Sequence, residues 1–88
     1  MKTKELREKR AAAQSLQPKV HVGKNGISDA TIAELDRHLK QDKLVKVRLL
    51  PSATEGGAQD AEQAEALATA TRSTLIDRRG HTAVYWRA

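Results

Sequence analysis

The stretch Val20-His21-Val22-Gly23-Lys24-Asn25-Gly26-Ile27-Ser28 limits the folds open to this chain more than any other part of it. Val20 and Val22 alternate with His21 as a strand requires, the valines inward and His21 outward. A glycine stands at each end of the turn that follows, with Lys24 and Asn25 between. Glycine reaches backbone conformations that other residues resist and leaves room for a close neighbour. Asn25 also tolerates positive φ. Ser28 is a natural N-cap, and Ile27 and Ile32 have the spacing of a hydrophobic staple. A strand that turns within a few residues into a capped helix opens a strand–helix–strand crossover, which selects an α/β class.

Ahead of this stretch, residues 3–15 read as a helix, with Thr3 as N-cap and Pro18 as its breaker, so that residues 1–17 form a basic N-terminal element. Leu6, Ala13 and Leu16 make a thin apolar side, which suits a helix that docks on a pre-formed body. After it, Ile32, Leu35 and Leu39 form a helical stripe, with Asp36, Arg37, Lys40 and Gln41 toward water. Leu44 to Leu50 alternates as a strand, Val45, Val47 and Leu49 on one face and Lys46 and Arg48 on the other. Residues 51–59 read as a flexible loop. Asp60 then serves as an N-cap, boxed by Gln63, for a helix whose packing stripe is Ala61, Ala64, Leu67, Ala68 and Thr71.

Thr74–Arg79 and His81–Arg87 are two strands joined around Gly80, and so short a connection makes them an antiparallel hairpin. Leu75 and Ile76 point to opposite faces. Val84 and Trp86 share one face of the last strand; Ala83, Tyr85 and Arg87 share the other. The expected fold is a single α/β domain over residues 1–88, a βαβαββ four-stranded mixed sheet. Its helices lie on one face, the other face is mostly solvated, and the N-terminal helix is added to this body.

The chain has no cysteine, which removes disulfides and thiolate metal sites. It has no apolar run of membrane-spanning length and no signal peptide pattern at its start, so a cytoplasmic location is expected. The net charge of +5 is unevenly spread. Residues 1–26 carry a net +5, 27–50 a net +1, 51–70 a net −4 and 71–88 a net +3. Basic ends around an acidic interruption suit a nucleic-acid binder with one solvated acidic face, and they also suit a small domain kept in solution by charge.

Lys24 between two glycines, directly before the positive end of a helix dipole, has the makings of a clamp for a phosphodiester backbone. The plain alternative is a tight turn into a helix. The cations Lys2, Lys4, Arg7, Lys9 and Arg10 either flank this clamp or form a solvated helix surface with pairs such as Glu5–Lys9. Trp86 can stack on an unpaired base or fill a small core, and Tyr85 carries the complementary choice. His21, His38 and His81 show no paired metal-ligand spacing, and only His21 and His81 could converge across a sheet, so neither a metal site nor catalysis is expected.

The run Pro18–Ser28, the strand Leu44-Val-Lys-Val-Arg48 and the closing Gly80-His-Thr-Ala-Val-Tyr-Trp-Arg87 resemble, in order and spacing, the CRM domain. This is the RNA-binding module of chloroplast splicing factors and of stand-alone YhbY-like proteins of bacteria and archaea. The resemblance covers nearly the whole chain. It implies a fold like the C-terminal domain of bacterial translation initiation factor three, and RNA binding without chemistry or cofactor. It places the family's Gly-x-x-Gly motif on Gly23, Lys24, Asn25 and Gly26, its basic strand on Lys46 and Arg48, and its terminal aromatic–Arg pair on Trp86 and Arg87. The loop from Pro51 to Asp60 and a Trp in place of the more usual Tyr depart from the pattern.

The expected function is therefore a monomeric RNA-binding protein acting on structured ribosomal RNA in precursors of the large ribosomal subunit. Its expected contacts are Gly23, Lys24, Asn25, Gly26, Lys46, Arg48, Arg7, Lys9, Arg10 and Arg87. The rival is a protein-interaction adaptor in ribosome or translation complexes that uses the sheet face and the acidic helix without touching RNA.

Overall fold

A computed structural model of the chain describes residues 2–23, 26–49 and 57–88, with side chains of the last segment described from residue 61 on. Lys24, Asn25 and most of the loop expected over 51–59 lie outside the described residues. The elements are α1 (Thr3–Ala13), β1 (Val20–Val22), α2 (Asp29–Asp42), β2 (Leu44–Leu49), α3 (Gly57–Thr71), β3 (Thr74–Arg79) and β4 (Thr82–Trp86). The strands form one sheet in the order β1-β2-β4-β3. β1 and β2 are parallel, joined by the α2 crossover; β2–β4 and β4–β3 are antiparallel. The mixed βαβαββ sheet expected from the sequence is thus the one observed.

Alternation along each strand divides the residues between two faces. Val20, Val22, Val45, Val47, Leu49, Ala83 and Tyr85 turn toward α2 and α3, where they meet Leu35, Leu39, Ala64, Leu67 and Ala68 in the main core. The small residues of α3 let its backbone approach the sheet closely. The Tyr85 hydroxyl donates to the Ala64 carbonyl oxygen at 2.9 Å, so this fully buried ring leaves no polar atom unpaired.

Helix α2 starts as its sequence prescribes. The Thr31 backbone N–H donates to Ser28 Oγ at 3.3 Å, and Thr31 Oγ1 accepts from the Ser28 backbone N–H, which completes a capping box. Ile27 and Ile32 both pack against the main core. Two other helix starts differ from expectation. Lys2, not Thr3, is the N-cap of α1, and no side chain caps it. Helix α3 begins at Gly57, so Asp60 is already helical rather than a cap. Glycine has a poor intrinsic preference for helix, so the sequence carried no sign that the helix would begin there.

The second face of the sheet is less solvated than its alternation suggests, because α1 lies across it. Ala13, Ile76 and Val84 form a small separate core, with Leu6, Leu16, Leu44 and Trp86 packed around it. A β-bulge between Leu75 and Asp77 interrupts β3 here and sets Asp77 and Arg79, opposite Val84 and Thr82, on the α1 face. Leu75 faces the main core while Ile76, the extra residue, joins the cluster under α1. The Arg10 Nε–H donates to the Ile76 carbonyl oxygen at 2.9 Å and so ties α1 to the bulge.

Candidate nucleic-acid interface

The antiparallel registers set side chains of neighbouring strands in transverse rows, since directly opposed residues share a face. One row on the α1 face is Lys46, Val84 and Asp77. The next is Arg48, Thr82 and Arg79, extended onto β1 by His21 opposite Arg48. This second row crosses the whole sheet next to the end of β1, where the chain enters the glycine turn. Gly23, Arg48, Arg79 and His21 therefore collect at one end of the molecule. The β3–β4 turn reaches the same end, where the Leu49 backbone N–H donates to the His81 carbonyl oxygen at 2.6 Å.

At the glycine turn, the Gly26 N–H donates to the Gly23 carbonyl oxygen at 2.9 Å. Gly26 has φ +81°, a left-handed conformation that L side chains resist. A Cβ at Gly26 would lie 3.7 Å from Gln63 Nε2, an ordinary contact, so conformation rather than space selects glycine here. Gly23 is exposed and a side chain there would meet nothing. The turn is thus open on its Gly23 side and backed by α3 on its Gly26 side. The α2 start beside it is less available than the sequence suggests, because the capping box occupies the Ser28 and Thr31 N–H groups and Asp29 adds a carboxylate.

Lys46 lies partly buried in a cleft of about 330 Å³ between the C-terminal part of α1 and the sheet. Arg10, Ala13 and Gln14 form its helical side; Lys46, Asp77, Arg79, Thr82 and Val84 form its sheet side. The structure therefore brings Arg10 and Lys46 to one cleft, where the sequence sets the basic helix beside the glycine turn, and adds Arg79, which is not among the expected contacts. A two-residue turn pairs Arg79 with Thr82, and alternation puts Thr82 on the Val84 face; that much was readable. The presence of Lys46 on the same face depends on the β2–β4 register, which no local pattern reveals. Arg79 Nε lies 3.2 Å from Asp77 Oδ2; Asp77 is partly buried, while the Arg79 guanidinium stays largely open to solvent.

The other expected contacts separate. Arg7 is exposed on α1. Lys9 Nζ sits 4.6 Å from the centroid of the Trp86 ring, a cation–π contact that covers that ring. Trp86 is therefore a packing residue beneath α1. Arg87 belongs to neither the turn nor the cleft. β4 runs antiparallel to β2, so its C-terminal end lies where β2 begins, at the opposite end of the sheet. There the Arg87 guanidinium donates to Asp36 Oδ1 at 2.7 Å, to the Thr71 carbonyl oxygen at 2.7 Å and to the Asp36 carbonyl oxygen at 3.2 Å. It clasps α2 and α3 together. Hydrogen bonds from Arg87 and then Lys40 hold the Asp36 carboxyl below its ordinary pKa of 3.8. Burial, reinforced by the charge of Glu65, raises the Tyr85 phenol.

This architecture has counterparts. The family model for the CRS1 / YhbY (CRM) domain matches residues 1–87. The chain belongs to the CRM family. This CRM domain is 33% identical over 84 residues to YqeI of Bacillus subtilis (strain 168), described as a candidate RNA-binding protein; the match covers 96% of the chain and 84% of YqeI. It is also similar to the solution structure of SAV1595 from Staphylococcus aureus, likewise described as a candidate RNA-binding protein, with a TM-score of 0.85 and 32% identity. That similarity covers all of this CRM domain and 88% of the staphylococcal chain. α1 thus falls within the family unit and is no appendage to it.

Proposed function

We propose that this CRM domain is a non-enzymatic RNA-binding protein. It would hold the RNA backbone along the glycine-turn end of the sheet and across the α1 face. The observation that carries the proposal is the transverse row His21–Arg48–Thr82–Arg79, flanked by Lys46 and Arg10 and ending beside Gly23. Arg48 and Arg79 stand two strands apart, at about 9.6 Å, with Lys46 in the next row, and present a rail of charge that can follow a phosphodiester chain and release its counterions. The open glycine turn allows close backbone approach at one end of this rail. Membership of the CRM family, and relatives described as candidate RNA binders, support RNA as the ligand.

The proposed target is structured ribosomal RNA, in precursors of the large subunit, met by a monomer in the cytoplasm. The rail offers backbone contacts and no evident set of base-reading groups, which suits a shaped RNA better than a linear sequence. Titration of labelled ribosomal RNA fragments tests the proposal. Gly23→Asp, on the open side of the turn, sets a carboxylate beside the path of the phosphates and is expected to weaken binding about tenfold or more. Equal affinity of the variant and the parent would remove the turn from the site.

A further inference from the structure

The cleft beneath α1 has a composition that a backbone rail does not need. Its volume of about 330 Å³ is enough for one small ligand. Its base is apolar: Ala13 is 3% exposed and Val84 5%. Around that base stand Arg10, Lys46 and Arg79, with Gln14 on the helix side and Asp77 on the sheet side. Asp77 lies one row across from Lys46, with Val84 between them. Three cations against one carboxylate favour an anionic occupant, while the apolar base favours one with a flat, weakly polar part.

We propose that the cleft receives a single unpaired nucleotide turned out of the bound RNA; this rests on the RNA-binding function proposed above. The phosphate lies on the Lys46 side, across Val84 from the Asp77 carboxylate. The base or ribose lies over Val84 and Ala13, where Asp77 and Gln14 offer an acceptor and a mixed donor–acceptor pair to its polar edge. A paired stem cannot supply this occupant, because its bases are stacked inside the helix. Trp86 is less suited to this role, because Lys9 Nζ already occupies one face of its partly buried ring and the ring packs against the core under α1.

The experiment compares two RNAs with the full chain: a fully paired stem, and the same stem carrying one extruded uridine. The extruded form is expected to bind about tenfold tighter, near the lower end of what one enclosed base contributes. Gln14→Trp fills the cleft from the helix side and is expected to reduce that preference to less than about twofold. Methyl NMR of Val84 during addition of uridine monophosphate provides a second readout that needs no variant, with a saturable shift expected at Val84 and none at Leu35. Equal binding of both stems by the parent, or an undiminished preference in a folded Gln14→Trp, overturns the nucleotide site while leaving RNA binding intact. Absence of binding to either stem overturns RNA binding, and the nucleotide site with it.

Discussion

The two faces of the sheet are built from the same strands and do different work. Among the described residues, twelve buried ones toward α2 and α3 form one continuous core, closed by the Tyr85 hydroxyl on Ala64 and by the Arg87 clasp on Asp36 and Thr71. Toward α1, three of the described residues are buried, and cations surround them. The α1 face thus gives up apolar burial for charge. Alternation of period two keeps these tasks on separate side chains, so substitutions on one face can change binding while the other face maintains the fold.

The largest test of this division is on the main core. Leu67 is fully buried, and Leu67→Ala is expected to cost roughly 2–5 kcal/mol in urea unfolding, with all elements melting together. On the other face, Leu6→Ala combined with Leu16→Ala is expected to act locally. α1 has 11 residues, and helices below about 12–15 residues are marginal without tertiary support. Amides of α1 would lose protection in hydrogen exchange while those of β2 and β4 keep theirs. Loss of protection in both places would show that the sheet depends on α1 and that the faces are coupled.

A smaller effect concerns pH. Asp36 has a lowered pKa in the folded chain, so its contribution to stability is present above its ordinary value of 3.8 and disappears as pH falls through the lower folded value. Asp36→Asn is expected to flatten the acid limb of the stability–pH curve below about pH 4. An unchanged acid limb in thermal melts would mean that Arg87 holds the helices through carbonyl contacts alone.

Much of this arrangement is legible in the sequence where it depends on neighbours in the chain. The separation of Val84 and Trp86 from Ala83 and Tyr85, the staple of Ile27 and Ile32, and the opposed faces of Leu75 and Ile76 all follow from local spacing. Features that depend on distant partners do not. Arg87 faces α2, as its alternation with Trp86 requires, but its place at the end of the sheet away from Gly23 follows from the antiparallel pairing of β4 with β2. The bulge at Ile76 and the crossing of α1 bring Arg10, Lys46 and Arg79 into one cleft from three separate segments. No run of residues announces that meeting.

The most direct test is the salt dependence of RNA binding in two triple variants of equal charge change. Lys46→Gln, Arg48→Gln and Arg79→Gln remove cations from the proposed rail; Arg37→Gln, Lys40→Gln and Arg72→Gln remove exposed cations of α2 and the end of α3. The first triple is expected to weaken binding and to lower the slope of log affinity against log salt by about 2–3, while the second leaves the slope within about one unit of the parent. Equal losses in both would mean that RNA responds to net charge alone, and would contradict a binding site on the α1 face.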